Sequence, residues 1–137
     1  LGLMQISRNE TDTAIRSFER AIALGNRTND QPAIAEASGN LGVIYWLRSD
    51  LGLAEGMLRN ALNIYASLDR SEGMAVNYGN LGRVYFDRGD HQRAEEMHGK
   101  ALVIEIELGN REGIAVQYSD LALVYLEQRN LAGACEM

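Results

Sequence analysis

His91, Glu95 and His98 are spaced so that all three would lie on one face of a helix. Imidazole and carboxylate groups at helical spacing can bind a metal ion. Forty residues earlier, however, the equivalent positions hold two leucines and a glutamate, so helix packing explains the spacing equally well. We therefore expect no metal site on this helix.

Other catalytic motifs do not stand out in the sequence. Residues 39–42 and 79–82 both read Gly-Asn-Leu-Gly, but they lack the lysine and hydroxyl residue of a phosphate-binding loop and follow no predicted strand. The single cysteine, Cys135, cannot form a disulfide within the chain. No nucleophile with a partnered base is visible. We expect a protein that is not an enzyme and that uses no cofactor.

Charge and hydropathy restrict the class of partner. The chain has 13 Lys and Arg residues against 19 Asp and Glu residues, a net charge of -6 at pH 7. Because nucleic-acid-binding domains need a basic surface, we expect no nucleic-acid partner. The longest apolar run that includes aromatic residues spans residues 43–47, whereas a membrane-spanning helix needs about 20 apolar residues. We expect no membrane partner and a cytoplasmic location.

The elements that position these residues repeat every 40 residues. The sequence Asn-Leu-Gly that starts at Asn40 returns at Asn80, and Asp-Leu-Ala follows at Asp120. Residues 40–79 and 80–119 share 18 identities over 40 positions without a gap. A fixed period of this length predicts an architecture of stacked structural repeats.

Apolar spacing predicts two helices in each period. From Ser71 to Arg88, apolar residues recur every three or four positions, which is typical of an amphipathic helix. Gly89 is a suitable left-handed stop, and Asp90 is a suitable N-cap for a second helix that ends before Gly109. The repeat places further helix starts after three more capping residues, which are Asp30, Asp50 and Asn130.

Small residues recur where two helices must touch. Gly42 and Gly82 on first helices are matched by Ala54 and Ala94 on second helices, and such residues let helix backbones approach closely. Large side chains are expected to fill the space beside these contacts: Leu41, Leu81, Leu121, Tyr45, Tyr85 and Tyr125.

This pattern resembles the tetratricopeptide repeat. The best example combines Leu81-Gly82, Tyr85, Gly89-Asp90, Ala94 and Ala101-Leu102. With a period of 40 rather than the commoner 34, it is similar to the arrays of kinesin light chains, spindle-orientation adaptors and bacterial signalling proteins. The resemblance implies an all-α fold, a right-handed α-solenoid of stacked antiparallel helix pairs. Ala122 and His98 depart from the usual residues at their positions.

The resemblance covers residues 1–137 as a single array. The predicted repeats are approximately residues 1–30 (partial), 31–70, 71–110 and 111–137 (partial). Because neither end looks like a dedicated cap, we expect an excerpt from a longer array.

The resemblance also implies a protein-interaction scaffold whose first helices line a concave groove for a peptide or helix of a partner. Asn40 and Asn80 would form an asparagine ladder that binds the peptide backbone, and Asp120 replaces the asparagine at the third position. The full set of predicted groove residues is Asn40, Val43, Trp46, Leu47, Val76, Asn80, Arg83, Phe86, Asp87, Val116, Asp120, Leu123, Leu126 and Glu127.

Several alternatives stay open from the sequence. The asparagines can bind either a ligand or neighbouring helices, and Arg83 can recognise a ligand or pair with Asp87 or Asp120. The position shared by Trp46, Phe86 and Leu126 can form pockets for partner side chains or be covered by the adjoining repeat. At the level of function, the alternative is a self-association or cis-regulatory sensor segment of a larger signalling protein. Homo-oligomers would then form through exposed array ends.

Overall fold

The computed structural model describes the backbone of residues 8–136 and the side chains of residues 8–131. This part of the chain contains six helices and no strand, which confirms the predicted all-α class. The helices are α1 (Arg8–Thr28), α2 (Gln31–Leu47), α3 (Leu51–Ser67), α4 (Ser71–Asp87), α5 (His91–Leu108) and α6 (Arg111–Glu136). Residues 1–7 and Met137, which belong to the two partial repeats, lie outside the described residues, as does the side chain of Cys135.

Each turn between consecutive helices contains one residue in the left-handed conformation. This conformation reverses the chain within two or three residues because it ends the helical hydrogen-bond pattern. The turn residues and their φ angles are Asn29 (56°), Ser49 (65°), Asp69 (57°), Gly89 (81°) and Gly109 (69°). The predicted stops at Gly89 and Gly109 are therefore confirmed.

The predicted caps at Asp30 and Asp90 are also confirmed. The Asp30 side chain accepts a hydrogen bond from the backbone N–H of Ala33, and the Asp90 side chain accepts one from Arg93, both at 3.2 Å. Pro32 lies in the first turn of α2, where its missing N–H costs nothing.

The predicted helix start after Asn130 is wrong, because α6 continues to Glu136 without a turn. Arg129 occupies the position at which Ser49 and Gly89 adopt positive φ. The β-carbon of Arg129 disfavours the left-handed conformation by about 1 to 2 kcal/mol, a penalty that Gly89 does not have. Ser49 has the same penalty, but the packing of α3 on α2 through Gly42 and Leu58 supports the turn there.

The chain divides into two compact units, Leu1–Ile64 (unit 1) and Tyr65–Met137 (unit 2). In unit 1, α1 packs on α2, and α2 packs on the part of α3 that belongs to this unit. A β-carbon placed on Gly42 would lie 2.7 Å from Cγ of Leu58 and 3.3 Å from the carbonyl oxygen of Ala54. The predicted close contact at Gly42 is therefore confirmed, and Leu58 is fully buried beside it.

In unit 2, α5 packs against both α4 and α6, and α4 also contacts α6. Leu81 and Leu121 are buried, as predicted, and so is Tyr85. Tyr125 is 51% exposed, so the prediction that it fills the same space as Tyr85 is wrong. The reason is that α6 runs straight past Asn130, and no second helix among the described residues covers this side of it.

Candidate peptide-binding surface

The predicted groove residues of unit 2 lie on adjoining sides of α4 and α6. On each helix they follow the spacing i, i+4, i+7 and i+11, which places them on one side of the helix. Nε of Arg83 on α4 lies 3.1 Å from Oδ2 of Asp120 on α6 and joins the two sides. We call this surface the α4/α6 face, and it comprises Val76, Asn80, Arg83, Asp87, Val116, Asp120, Leu123 and Glu127.

Most apolar side chains of the α4/α6 face are exposed. Val76 is 58% exposed, Leu123 53% and Val116 41%. Leu126, at the edge of this face, is 56% exposed, whereas Phe86 is half-buried with its ring edge-on to His91 at 5.5 Å. Phe86 therefore packs against its own unit, and the other four are open to a partner.

The polar residues of the face differ in how far they are engaged. Arg83 is in an ion pair with Asp120, the pairing that the ion-pair alternative predicted, while Asp87 and Glu127 are exposed. Asn80 is half-buried, and its side-chain amide forms no hydrogen bond with any residue between 8 and 131. Its donor and acceptor groups are therefore available for a peptide backbone.

The candidate residues of unit 1 lie on α2. Asn40 is exposed and, like Asn80, makes no side-chain hydrogen bond within residues 8–131. Leu47 is 57% exposed, and Val43 and Trp46 are half-buried. The α2 side therefore presents an amide and an apolar side chain, the same residue types as the α4/α6 face.

Behind the α4/α6 face lies a buried polar contact that the sequence did not predict. His98 on α5 is 1% exposed, and its Nδ1–H donates a 2.8 Å hydrogen bond to Oε1 of Gln117 on α6. The ring packs against Gly82, where an added β-carbon would lie 2.5 Å from Nε2. His98 occupies the position of Leu58, and this polar substitution in a core position was the available clue.

The three residues considered for a metal site have other contacts in the structure. His98 is hydrogen-bonded to Gln117, His91 packs on Phe86, and Glu95 accepts a 3.2 Å hydrogen bond from the hydroxyl of Tyr125. Within the described residues, no group of three or more His, Cys, Asp and Glu side chains is arranged to hold a metal ion.

Burial of the imidazole lowers the pKa of His98 below the usual value of 6.5. The hydrogen bond to Gln117 and the negative charge of Asp120, whose Oδ2 is 3.8 Å from Nδ1, oppose this lowering, whereas the positive charge of Arg83 adds to it. The unfolded chain therefore takes up a proton at higher pH than the folded chain does. This contribution to the free energy of unfolding is fully present above about pH 6.5 and is lost as the pH falls below that value.

We expect the His98→Gln variant to lose less stability than the wild type when the pH is lowered from about 7 to about 5. Glutamine is neutral throughout this range and can still reach a hydrogen-bond partner. Urea denaturation followed by circular dichroism at several pH values measures the difference. Since the chain has two histidines, His91→Gln is the matched control. If His91→Gln flattens the pH dependence and His98→Gln does not, the assignment to His98 is wrong.

The comparison with known proteins supports the predicted family. Residues 73–136 match the family model described as the tetratricopeptide repeat. The repeats within residues 73–136 are tetratricopeptide repeats. They include the Leu81-Gly82, Tyr85 and Gly89-Asp90 positions on which the resemblance was based, so the predicted family is confirmed. No curated protein matches the sequence.

Solved structures of other proteins share the fold. The chain is similar to BtubC (BKLC) from P. vanneervenii, with 26% identity and a TM-score of 0.77 over 85% of this chain and 49% of that one. A kinesin light chain candidate from Podosopora anserina with nearly identical TPR-like repeats has 20% identity and a TM-score of 0.75, over 93% of this chain and 64% of that one. A substituted form of the same protein gives a TM-score of 0.76 over 63% of its length. The chain thus spans about half to two thirds of these proteins.

Tetratricopeptide repeats generally mediate protein–protein interactions, and scaffold families of this type are generally not enzymes. None of the helices in residues 8–136 has the length and apolar character that crossing a membrane requires.

Proposed function

We propose that this chain is a protein-interaction module that binds a peptide segment or helix of another protein. The α4/α6 face of unit 2 is the principal surface, and the side of α2 that carries Asn40 and Leu47 plays the same part in unit 1. The observation that carries the proposal is the combination of an available Asn80 amide with exposed apolar side chains on one face.

Each component of the α4/α6 face has a different role in this proposal. The Asn80 amide donates to a carbonyl and accepts from an N–H of the peptide backbone, which gives affinity for peptides of many sequences. Val76, Val116 and Leu123 lose contact with water when apolar side chains of the ligand cover them, and this burial favours binding. The Arg83–Asp120 ion pair holds α4 and α6 together beneath the ligand.

The asparagines provide the first test. We expect the double variant Asn40→Ala, Asn80→Ala to bind peptides about tenfold more weakly or worse, because each lost hydrogen bond contributes about 0.5 to 1.5 kcal/mol. Peptides captured from a proteome-derived pool by the wild type are identified, synthesised and titrated against the variant. Unchanged helicity in circular dichroism shows that the variant is folded.

Asn26 and Asn63 provide the matched control, since both are exposed asparagines on helices other than α2, α4 and α6. The double variant Asn26→Ala, Asn63→Ala is expected to keep the wild-type affinity. Equal affinities of all three proteins for the captured peptides would place binding on another surface and contradict the proposal.

Self-association is the second candidate function. It is favoured by exposed apolar and aromatic side chains on the other sides of α6, where Tyr118 is 57%, Tyr125 51% and Leu131 52% exposed. Sedimentation velocity over a range of concentrations distinguishes the two. A concentration-dependent dimer that Tyr118→Ser and Tyr125→Ser abolish would support self-association, and a monomer at all concentrations would contradict it.

A further inference from the structure

We infer that the partner segment bound by the α4/α6 face carries apolar residues flanked by lysine or arginine. This inference rests on the proposed function and specifies the chemistry of the ligand. It follows from which charges surround the exposed apolar residues and which of those charges are already paired.

The α4/α6 face is strongly acidic. The face can be extended by one helical turn toward the N-terminus of each helix. This adds Glu72 on α4, four residues before Val76, and Glu112 on α6, four residues before Val116. The extended face then has five carboxylates and one guanidinium, a net charge of -4 at neutral pH. The five are Glu72, Asp87, Glu112, Asp120 and Glu127.

The one basic residue of the extended face does not neutralise this excess. Arg83 is bound to Asp120, so both charges are used within the protein. Glu72, Glu112 and Glu127 are exposed, and none of them forms an ion pair with another residue of the described range 8–131. These three carboxylates remain to attract a ligand of opposite charge.

The two arginines of α6 lie away from the face. Arg111 and Arg129 are each nine residues from Asp120, which is two and a half helical turns, so they lie on the opposite side of α6. Arg70 and Arg88 are the N-cap and C-cap residues of α4 and lie just outside the face. The described part of α6 therefore places no basic side chain beside Val116 and Leu123.

The order of apolar and acidic residues on the face determines which ligand fits it. Val76, Val116 and Leu123 form the apolar middle of the face, and the free carboxylates lie at its ends in the first turns of α4 and α6 and near residue 127. A segment with apolar residues in its centre and basic residues on both sides matches this order of apolar and acidic groups. A second copy of this chain is disfavoured, because its net charge of -6 would meet an acidic surface.

A library of random peptides displayed on phage tests the inference with the intact chain. Selected peptides are sequenced, synthesised and titrated by fluorescence anisotropy at low and high salt. We expect an excess of lysine and arginine beside apolar residues, and an affinity that falls as salt rises, because surface charges are screened.

Two triple variants with the same change in net charge make the test specific. We expect Glu72→Gln, Glu112→Gln, Glu127→Gln to weaken binding about tenfold at low salt and to reduce the salt dependence. The control Glu19→Gln, Glu96→Gln, Glu107→Gln removes three exposed glutamates of α1 and α5 and is expected to stay within about twofold of the wild type.

Each outcome separates this inference from the proposed function. Selected peptides that need Asn40 and Asn80, but show no basic excess and bind the two triple variants equally, would overturn the inference and leave the proposed function standing. If no selected peptide is sensitive to the asparagine substitutions, both fail. Equal weakening by the two triple variants would show a general charge effect and would also overturn the inference.

Discussion

Replacing Leu58 by alanine is expected to destabilise unit 1 by about 3 to 4 kcal/mol. Leu58 is fully buried on α3, and its side chain fills the space left by the missing β-carbon of Gly42. Alanine would leave a cavity that rigid neighbours cannot close, because the helix backbones already touch through Gly42 and the carbonyl of Ala54. The loss of buried methyl groups and the cavity both lower the free energy of unfolding.

Urea denaturation followed by tryptophan fluorescence measures this effect, because Trp46 is the only tryptophan and lies in unit 1. Leu53→Ala is the matched control, since Leu53 is on the same helix and 55% exposed. We expect the control to lose less than about 0.5 kcal/mol. If both variants unfold at the same urea concentration, Leu58 does not have the packing role described above.

Replacing Gly82 by alanine is expected to destabilise unit 2 by about 1 to 3 kcal/mol, although alanine favours helices more than glycine does. The added methyl group would lie 2.5 to 2.7 Å from three atoms of the His98 ring. The ring cannot move away freely, because it is buried and its Nδ1–H is bonded to Gln117. The substitution must therefore either break the His98–Gln117 hydrogen bond or move α4 away from α5.

Gly99 on α5 provides the control for Gly82, because a β-carbon there would meet no atom within 4 Å. Gly99→Ala is expected to stabilise the protein by about 0.5 to 1 kcal/mol through helix propensity alone. Urea denaturation monitored by circular dichroism compares the two substitutions. The account of the Gly82 contact would be refuted by a Gly82→Ala variant as stable as Gly99→Ala.

A double-mutant cycle identifies His98 as the residue that opposes the added methyl group. If the ring is the obstacle, Gly82→Ala costs less in a His98→Ala background than in the wild type, and the difference is the coupling energy of the pair. A cost that is the same in both backgrounds would place the strain elsewhere.

The sequence by itself determined the helices of this protein, most of the turns between them and the family. Asp30, Asp90 and Gly109 act through hydrogen bonds and φ angles that involve residues within one helical turn, so their effect can be read without knowing the fold. The 40-residue period likewise predicted the contacts at Gly42 and Gly82, because equivalent positions meet equivalent neighbours.

The tertiary structure decided what repetition could not. Asn130 lies forty residues after Asp90 but starts no helix, since α6 continues through Arg129 to Glu136, and Tyr125 stays exposed as a result. His98 matches Leu58, yet it is accepted in the core because Gln117 from another helix satisfies its Nδ1–H. Whether Arg83 pairs with Asp120 or faces a ligand depended on the distance between α4 and α6. Side-chain pairing across helices depends on how the helices are placed relative to each other. A repeat pattern predicts where a residue lies on its helix, but not which residue of another helix it contacts.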